Sequence, residues 1–134
     1  MINYTQSGSL NDKAYDLPDQ LWHPVGPSFI INKLRAGTPL ELEFAGTCLA
    51  ASLVGNGIRF ELRVDNLNPN FKNQGSLRKN DLEEPVSAKS VYTQLAVGKH
   101  VGQMYCQVPN AGASAKGVVL DPGGWGAVIL ATEF

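Results

Sequence analysis

The sequence predicts an all-β fold of about eight to ten short strands, arranged as two packed antiparallel sheets or as a barrel. Helices are disfavoured because 14 glycines and 8 prolines leave few uninterrupted windows of about ten residues. Apolar and polar residues alternate in several segments, which is typical of strands with one buried face. At 134 residues, the chain fits a single domain, 1–134, that can bury a core without metal or disulfides.

In the first half of the chain, glycine and proline separate four strand-like segments. Residues 3–8 suit an edge strand, and 28–31 form a short apolar strand. The segments 40–53 and 58–65 are expected to pair as an antiparallel hairpin, because residues 55–57, Gly-Asn-Gly, supply the positive φ angles of a tight turn.

Alternation is strictest in residues 58–65, which predicts that the charged side chains of this strand face water. Glu41 and Glu43 lie on one face of the preceding strand, so the two strands are expected to form a cross-strand charge ladder. An acid–base pair of carboxylates and a calcium site are the alternatives at these two glutamates.

The second half begins with a polar segment, 66–90, which is either mobile, a small embedded element or functional. Strands are expected at 91–97, 100–108 and 117–120. The last strand is apolar and reaches the final residue, so Val128 to Phe134 are expected to be shielded from solvent by neighbouring copies. A charged fraction of 17%, below the usual quarter, also points to self-association.

Charge and hydropathy exclude some partners. A net charge of −1 gives no electrostatic footprint for nucleic acid, so no nucleic-acid partner is expected. No apolar segment approaches the roughly 20 residues that span a bilayer. The first eight residues lack the basic and apolar regions of a signal peptide, which predicts a cytoplasmic or virion-associated protein.

The two cysteines, Cys48 and Cys106, lie in strand-like apolar segments and are interpreted as buried reduced thiols, with a disulfide between adjacent strands as the alternative. No CxxC or HxxxH spacing is present, so neither a metal nor a cofactor is predicted.

The order of these segments resembles the C1q and tumour-necrosis-factor-like jelly roll of short bacterial and phage proteins. The likeness lies in residues 40–44, 59–65 and 95–100, the last similar to that family's "aGtH" turn, and in the glycine-rich hairpin before the last strand. It implies an antiparallel jelly-roll sandwich that assembles as a homotrimer. The resemblance places residues of the C-terminal region near the threefold axis: Trp125, Val128, Leu130 and Phe134. A collagen-like stalk is absent, so no complement or cytokine role is implied.

Candidate site residues are few. Ligand binding is assigned to aromatic and imidazole side chains, namely Trp22, His23, Tyr105 and Trp125. No catalytic residue is predicted; were the chain an enzyme, His100, His23 and Asp65 would be the acid–base candidates. Each histidine also has a structural interpretation, as a cross-strand hydrogen-bonding group or as a plug at one end of the sandwich.

These observations favour a non-catalytic homotrimeric module with a structural or recognition role in a bacterial or phage assembly. Two alternatives remain: a small β-barrel isomerase or cyclase with an apolar pocket, and a carbohydrate-binding lectin in which Trp22 or Trp125 stacks on a sugar ring. The expected partners are further copies of the chain and either a glycan or a protein ligand.

Overall fold

The computed structural model describes residues 1–79, 81–124 and 126–134, and for residues 6–8 the backbone alone. These residues form eleven β-strands and no helix. The strands are β1 Ile2–Gly8, β2 Tyr15–Leu17, β3 His23–Lys33, β4 Leu40–Val54, β5 Ile58–Val64, β6 Phe71–Asn73, β7 Gly75–Leu77, β8 Glu84–Tyr92, β9 Gly98–Gln107, β10 Ser114–Leu120 and β11 Ala127–Glu133.

The strands form two antiparallel sheets with the apolar core between them. The seven-stranded sheet contains β1, β11, β4, β10 and β2 in that order, with β8 beside β4 and β6 beside β8. The four-stranded sheet has the order β3-β9-β5-β7. The path β1-β11-β4-β8 facing β3-β9-β5-β7 is the strand order of a jelly roll, which confirms the predicted all-β sandwich.

The predicted hairpin between 40–53 and 58–65 is wrong. β4 belongs to the seven-stranded sheet and β5 to the four-stranded sheet. Gly55 and Gly57, with φ angles of 127° and 137°, carry the chain from one sheet to the other. The antiparallel neighbours of β4 are β8 on one side, and β11 followed by β10 on the other.

β3 is longer than the predicted strand at 28–31. It begins at His23 and includes Pro24 and Pro27, which are tolerated because β3 is an edge strand and carries a bulge between Val25 and Phe29. Inside the bulge, Gln103 Nε2 donates hydrogen bonds to the carbonyls of Val25 and Gly26, at 3.1 and 2.8 Å.

The polar segment 66–90 contains an embedded element rather than one long loop. β6 pairs with β8 in one sheet, and β7 pairs with β5 in the other, with Gln74 alone between them. The chain therefore crosses between the sheets at this corner. The strand predicted at 91–97 is displaced. It is β8, Glu84–Tyr92, which begins inside the polar segment and ends at Tyr92.

Beyond Phe60, β5 no longer has β7 beside it, and side chains of β8 replace the missing backbone partner. Ser90 Oγ donates to the Leu62 carbonyl at 2.7 Å, and the Tyr92 hydroxyl accepts from the Val64 amide at 2.9 Å. These bonds satisfy buried backbone groups at an exposed strand edge and fix the corner.

Both cysteines are free and buried, which agrees with the reduced-thiol interpretation. Burial raises the pKa of each thiol, so both stay protonated at neutral pH. Cys48 lies in β4 and Cys106 in β9, on opposite sheets.

The C-terminal strand is buried by the chain itself. β11 lies between β1 and β4, and Ile129 and Ala131 point into the core. Val128 and Phe134 are 44% and 59% exposed, so the outward face of the strand and the final residue are open in the single chain. No helix in the described residues is both long and apolar enough to cross a membrane.

Candidate functional site

The candidate site is on the outer face of the four-stranded sheet, away from the core. Alternation along β5 directs Phe60 and Leu62 inward and Arg59, Glu61 and Arg63 outward. The register places β9 residues beside these three outward-facing residues: Gln107 opposite Arg59, Tyr105 opposite Glu61, and Gln103 opposite Arg63.

Two side chains of this face are buried, although the alternating pattern predicts that they face water. Glu61 is 1% exposed and Arg63 is 8% exposed. The prediction is wrong here because segments from elsewhere in the chain contribute contacts over the outer face: Trp22 before β3, Lys72 from β6 and Gln74 before β7.

Glu61 is the anchor of the site. Its carboxylate accepts hydrogen bonds from Arg63 Nε at 2.6 Å, Gln74 Nε2 at 2.9 Å and Lys72 Nζ at 3.1 Å. Burial opposes ionisation, but the three donors outweigh it and lower the pKa of Glu61. The side chain is therefore a fixed anion at neutral pH and has no proton to donate as a general acid.

Arg63 joins the two predicted aromatic ligand residues. Its guanidinium carbon lies 4.7 Å from the centre of the Trp22 ring and 5.4 Å from the centre of the Tyr105 ring. Nη1 donates to Asn66 Oδ1 at 3.2 Å, and Nε is held by Glu61. Trp22 and Tyr105 are each partly exposed, so the cluster presents two positioned aromatic rings at the surface.

The remaining predicted ligand residues are not part of this cluster. His23 follows Trp22, but its Nε2 is bonded to Asp19 Oδ1 at 2.6 Å, and this hydrogen bond lowers the pKa of Asp19. Trp125 lies outside the described residues, so neither its ligand role nor its interface role is located.

The three acid–base candidates do not converge. His23 and His100 lie on the same strand pair, opposite Cys106 and Ile31 respectively, at positions about 20 Å apart along the strands. His100 and Asp65 do touch, with Nδ1 and Oδ2 separated by 2.6 Å.

The other groups of that pair are also occupied. His100 Nε2 donates to the Ala96 carbonyl at 2.7 Å, and Asp65 Oδ1 accepts from the Val101 amide at 2.9 Å. Burial disfavours the charged ring, but Asp65 and Ala96 outweigh it and raise the pKa of His100. Each ring nitrogen has a hydrogen-bond partner, so the imidazole fastens the chain before β9 to the end of β5.

The predicted charge ladder exists with a different partner. Lys89 Nζ lies 2.8 Å from a Glu41 oxygen and 3.0 Å from a Glu43 oxygen, so these glutamates pair with β8 and not with β5.

Among the described residues, no group of three or more His, Cys, Asp or Glu side chains is placed to hold a metal ion. Val128 and Leu130 line a depression of about 280 Å³ beside Glu43 and Lys89.

Sequence reasoning missed the residues that hold Arg63 in place, chiefly Glu61, Lys72 and Gln74. A signal was present for one of them: β7 pairs with β5 so that Phe60 faces Gly75, and continuing that register by one residue brings Gln74 opposite Glu61. Recognising it required the pairing of the two strands, which the local pattern does not specify.

Comparison with known proteins adds little about function. No protein-family model matches the chain, and no curated protein matches it. A solved structure described as "EclA C-terminal domain; sugar-binding protein" is similar over 88% of this chain and 77% of that chain, with 10% sequence identity and a TM-score of 0.33. The likeness is too slight to carry a conclusion about ligands, and the C1q and tumour-necrosis-factor-like family is not shown by these comparisons.

Proposed function

We propose that the chain is a non-catalytic recognition module that binds a saccharide on the outer face of the four-stranded sheet. The observation that carries this proposal is the contact of the Arg63 guanidinium with both Trp22 and Tyr105. The apolar face of a sugar ring stacks on aromatic rings, while its hydroxyl groups need hydrogen-bonding side chains nearby. Gln107 and Arg59 supply such groups on the neighbouring positions of the same face.

The chemistry of the cluster supports binding rather than catalysis. A general acid at neutral pH requires a carboxyl group with a raised pKa, whereas the pKa of Glu61 is lowered. The pKa of Asp65 is also lowered, because hydrogen bonds to His100 and Val101 outweigh the cost of its burial. Apolar side chains fill the space between the two sheets, where a barrel enzyme would hold its substrate.

Trp22→Ala is expected to weaken saccharide binding by about 30-fold or more, since truncation of an aromatic anchor costs about 2 kcal/mol or more. Isothermal titration calorimetry with the best oligosaccharide from a glycan array measures the change. Leu21→Ala is the matched control, because Leu21 is the adjacent residue and 64% exposed.

If the Trp22→Ala protein and the unaltered protein bind the saccharide with equal affinity, the binding site is not on this face. A glycan array without any binding would refute saccharide recognition itself.

We also propose that the chain, as one unit of 134 residues, assembles as a homotrimer through the outer face of the seven-stranded sheet. This is favoured by the depression of about 280 Å³ in which Val128 and Leu130 lie beside the Glu43–Lys89 ion pair. A recess that combines apolar side chains with polar and charged ones is compatible with a protein–protein interface.

Light scattering after size exclusion should give three times the 14.4 kDa chain mass at micromolar concentration. Val128→Arg should reduce that mass to one chain. Val54→Arg is the control, because Val54 is 57% exposed at the far end of β4. A mass of 14.4 kDa for the unaltered protein would refute the trimer and leave saccharide binding untouched.

A further inference from the structure

A second feature of the same outer face is a depression of about 350 Å³ that contains two arginines, Arg59 and Arg78. Arg59 pairs across the sheet with Ser76, and Arg78 follows two residues after Ser76, so all three belong to one face of the β5–β7 pair. Asn110, from the turn between β9 and β10, closes the depression on the other side.

Neither guanidinium takes part in an ion pair with any described residue. The Glu84 carboxylate accepts a hydrogen bond from the backbone amide of Arg78 at 3.0 Å. Both arginine side chains are exposed. No described carboxylate pairs with either guanidinium, so both are open to an external anion, with which arginine can form two parallel hydrogen bonds.

Strand β5 contributes a residue both to the depression and to the aromatic cluster, Arg59 to the first and Arg63 to the second. Arg59 and Arg63 are four residues apart on this strand, a separation of about 13 Å. Glu61 lies between these two arginines on β5, and its carboxylate is already bonded to Arg63, Lys72 and Gln74. Four cationic side chains, Arg59, Arg63, Lys72 and Arg78, thus meet two carboxylates here, those of Glu61 and Glu84, although the whole chain has a net charge of −1.

We infer that the saccharide bound by this face is acidic: a uronate-bearing oligosaccharide whose rings lie on Trp22 and Tyr105 and whose carboxylates pair with Arg59 and Arg78. This inference rests on the proposed function. The guanidinium fork matches a carboxylate in two parallel hydrogen bonds. Arg59 and Arg78 line the depression, whereas the two rings contact Arg63, which is about 13 Å from Arg59 along β5, so a ligand that reaches both is an oligomer and not a monosaccharide.

A nucleic acid is the other polyanion to consider, and the surface favours it less. Closely spaced phosphates are bound by a stripe of basic residues, whereas Arg59 and Arg78 share one depression. Two aromatic rings on the same sheet, Trp22 and Tyr105, suit a ligand made of sugar rings that each carry one carboxylate.

The test compares uronate oligomers with their methyl esters, which keep the sugar and remove the charge. Pentamers of galacturonate, mannuronate and glucuronate, each as free acid and as ester, are titrated into the protein by calorimetry. At least one free acid should bind about tenfold or more tightly than its ester. The preference should shrink as salt is raised, because exposed ion pairs are screened.

The double variant Arg59→Gln with Arg78→Gln should lose that preference, so that it binds the free acid no more tightly than the ester. Lys116→Gln is the control, because Lys116 is an exposed cation on β10 of the other sheet. Both arginine side chains are at the surface, and a melting curve shows whether the double variant stays folded.

Three results would overturn the inference: equal binding of acids and esters, a preference that survives the double substitution, or tighter Arg59-dependent binding of single-stranded DNA than of any uronate. If neutral saccharides bind through Trp22 and the acids do not, the inference fails and the proposed function stands. If no saccharide binds, both fail.

Discussion

Lys33→Met is expected to lower the melting temperature by about 10 °C or more, because it leaves a buried carboxylate without its cation. The side chains of Lys33 and Glu133 are both fully buried, with Nζ and Oε2 separated by 3.0 Å. Methionine keeps most of the length of the lysine side chain, so loss of the charge and of its hydrogen bonds dominates. Lys116→Met is the control at an exposed position, and a thermal scan compares the three proteins.

The size of this effect follows from the number of groups that meet at Glu133. Its carboxylate accepts from Asn3 Nδ2 at 2.7 Å, from the Leu34 and Arg35 amides at 3.0 and 2.7 Å, and from Thr38 Oγ1 at 2.8 Å. Lys33 Nζ also donates to the Arg35 carbonyl and to Thr38. The network joins the first strand, the turn after β3 and the last strand.

The same network predicts a pH dependence. Burial raises the pKa of Glu133, but the hydrogen bonds to its carboxylate outweigh this and hold the pKa well below the ordinary value of 4.5. The stabilising contribution is therefore complete above about pH 4.5 and is lost as the pH falls through the folded-state pKa. The gap in melting temperature between unaltered protein and Lys33→Met should be widest near pH 7 and should narrow below about pH 3. An equal gap at both pH values would contradict this assignment.

Glu61→Gln is expected to lower the melting temperature by about 5 to 10 °C and to weaken saccharide binding by about tenfold. Glutamine has nearly the same shape, but Arg63 then lies buried without an anion. Arg63 also loses the charged hydrogen bond at Nε, which holds its guanidinium against Trp22 and Tyr105. Thermal scans and calorimetry measure the two effects.

Glu43→Gln is the matched control for that substitution. Glu43 is also a strand glutamate paired with a lysine, but both side chains are about half exposed, at 45% and 50%. Its loss should change the melting temperature by about 3 °C or less. Similar effects of the two substitutions would mean that Glu61 is not an anchor of the site.

The sequence predicts the fold class and many strands because alternation is a local property. Leu40, Leu42 and Phe44 are all buried, as their spacing predicts, and 3–8 is an edge strand. Alternation does not identify the neighbouring strand. Two glycines in positive-φ conformations, Gly55 and Gly57, serve equally in a hairpin and in a crossing between sheets, so the pairing of β4 with β5 was wrong.

The candidate site was predictable only in its aromatic residues. Trp22 and Tyr105 are unusual enough in their segments to be singled out. Glu61 and Arg63 have the pattern of a solvated strand face, and only contacts from Trp22, Lys72 and Gln74 bury them. Those contacts depend on the corner at which β6 and β7 change sheets, a non-local feature of the fold.

The most direct test of saccharide recognition by the four-stranded sheet is an NMR titration of isotopically labelled protein with the tightest-binding uronate pentamer. The predicted result is a set of saturable amide shifts at Arg59, Glu61 and Tyr105, with β4, β8 and β11 unchanged. Shifts confined to the seven-stranded sheet, or none at saturating pentamer, would contradict the account.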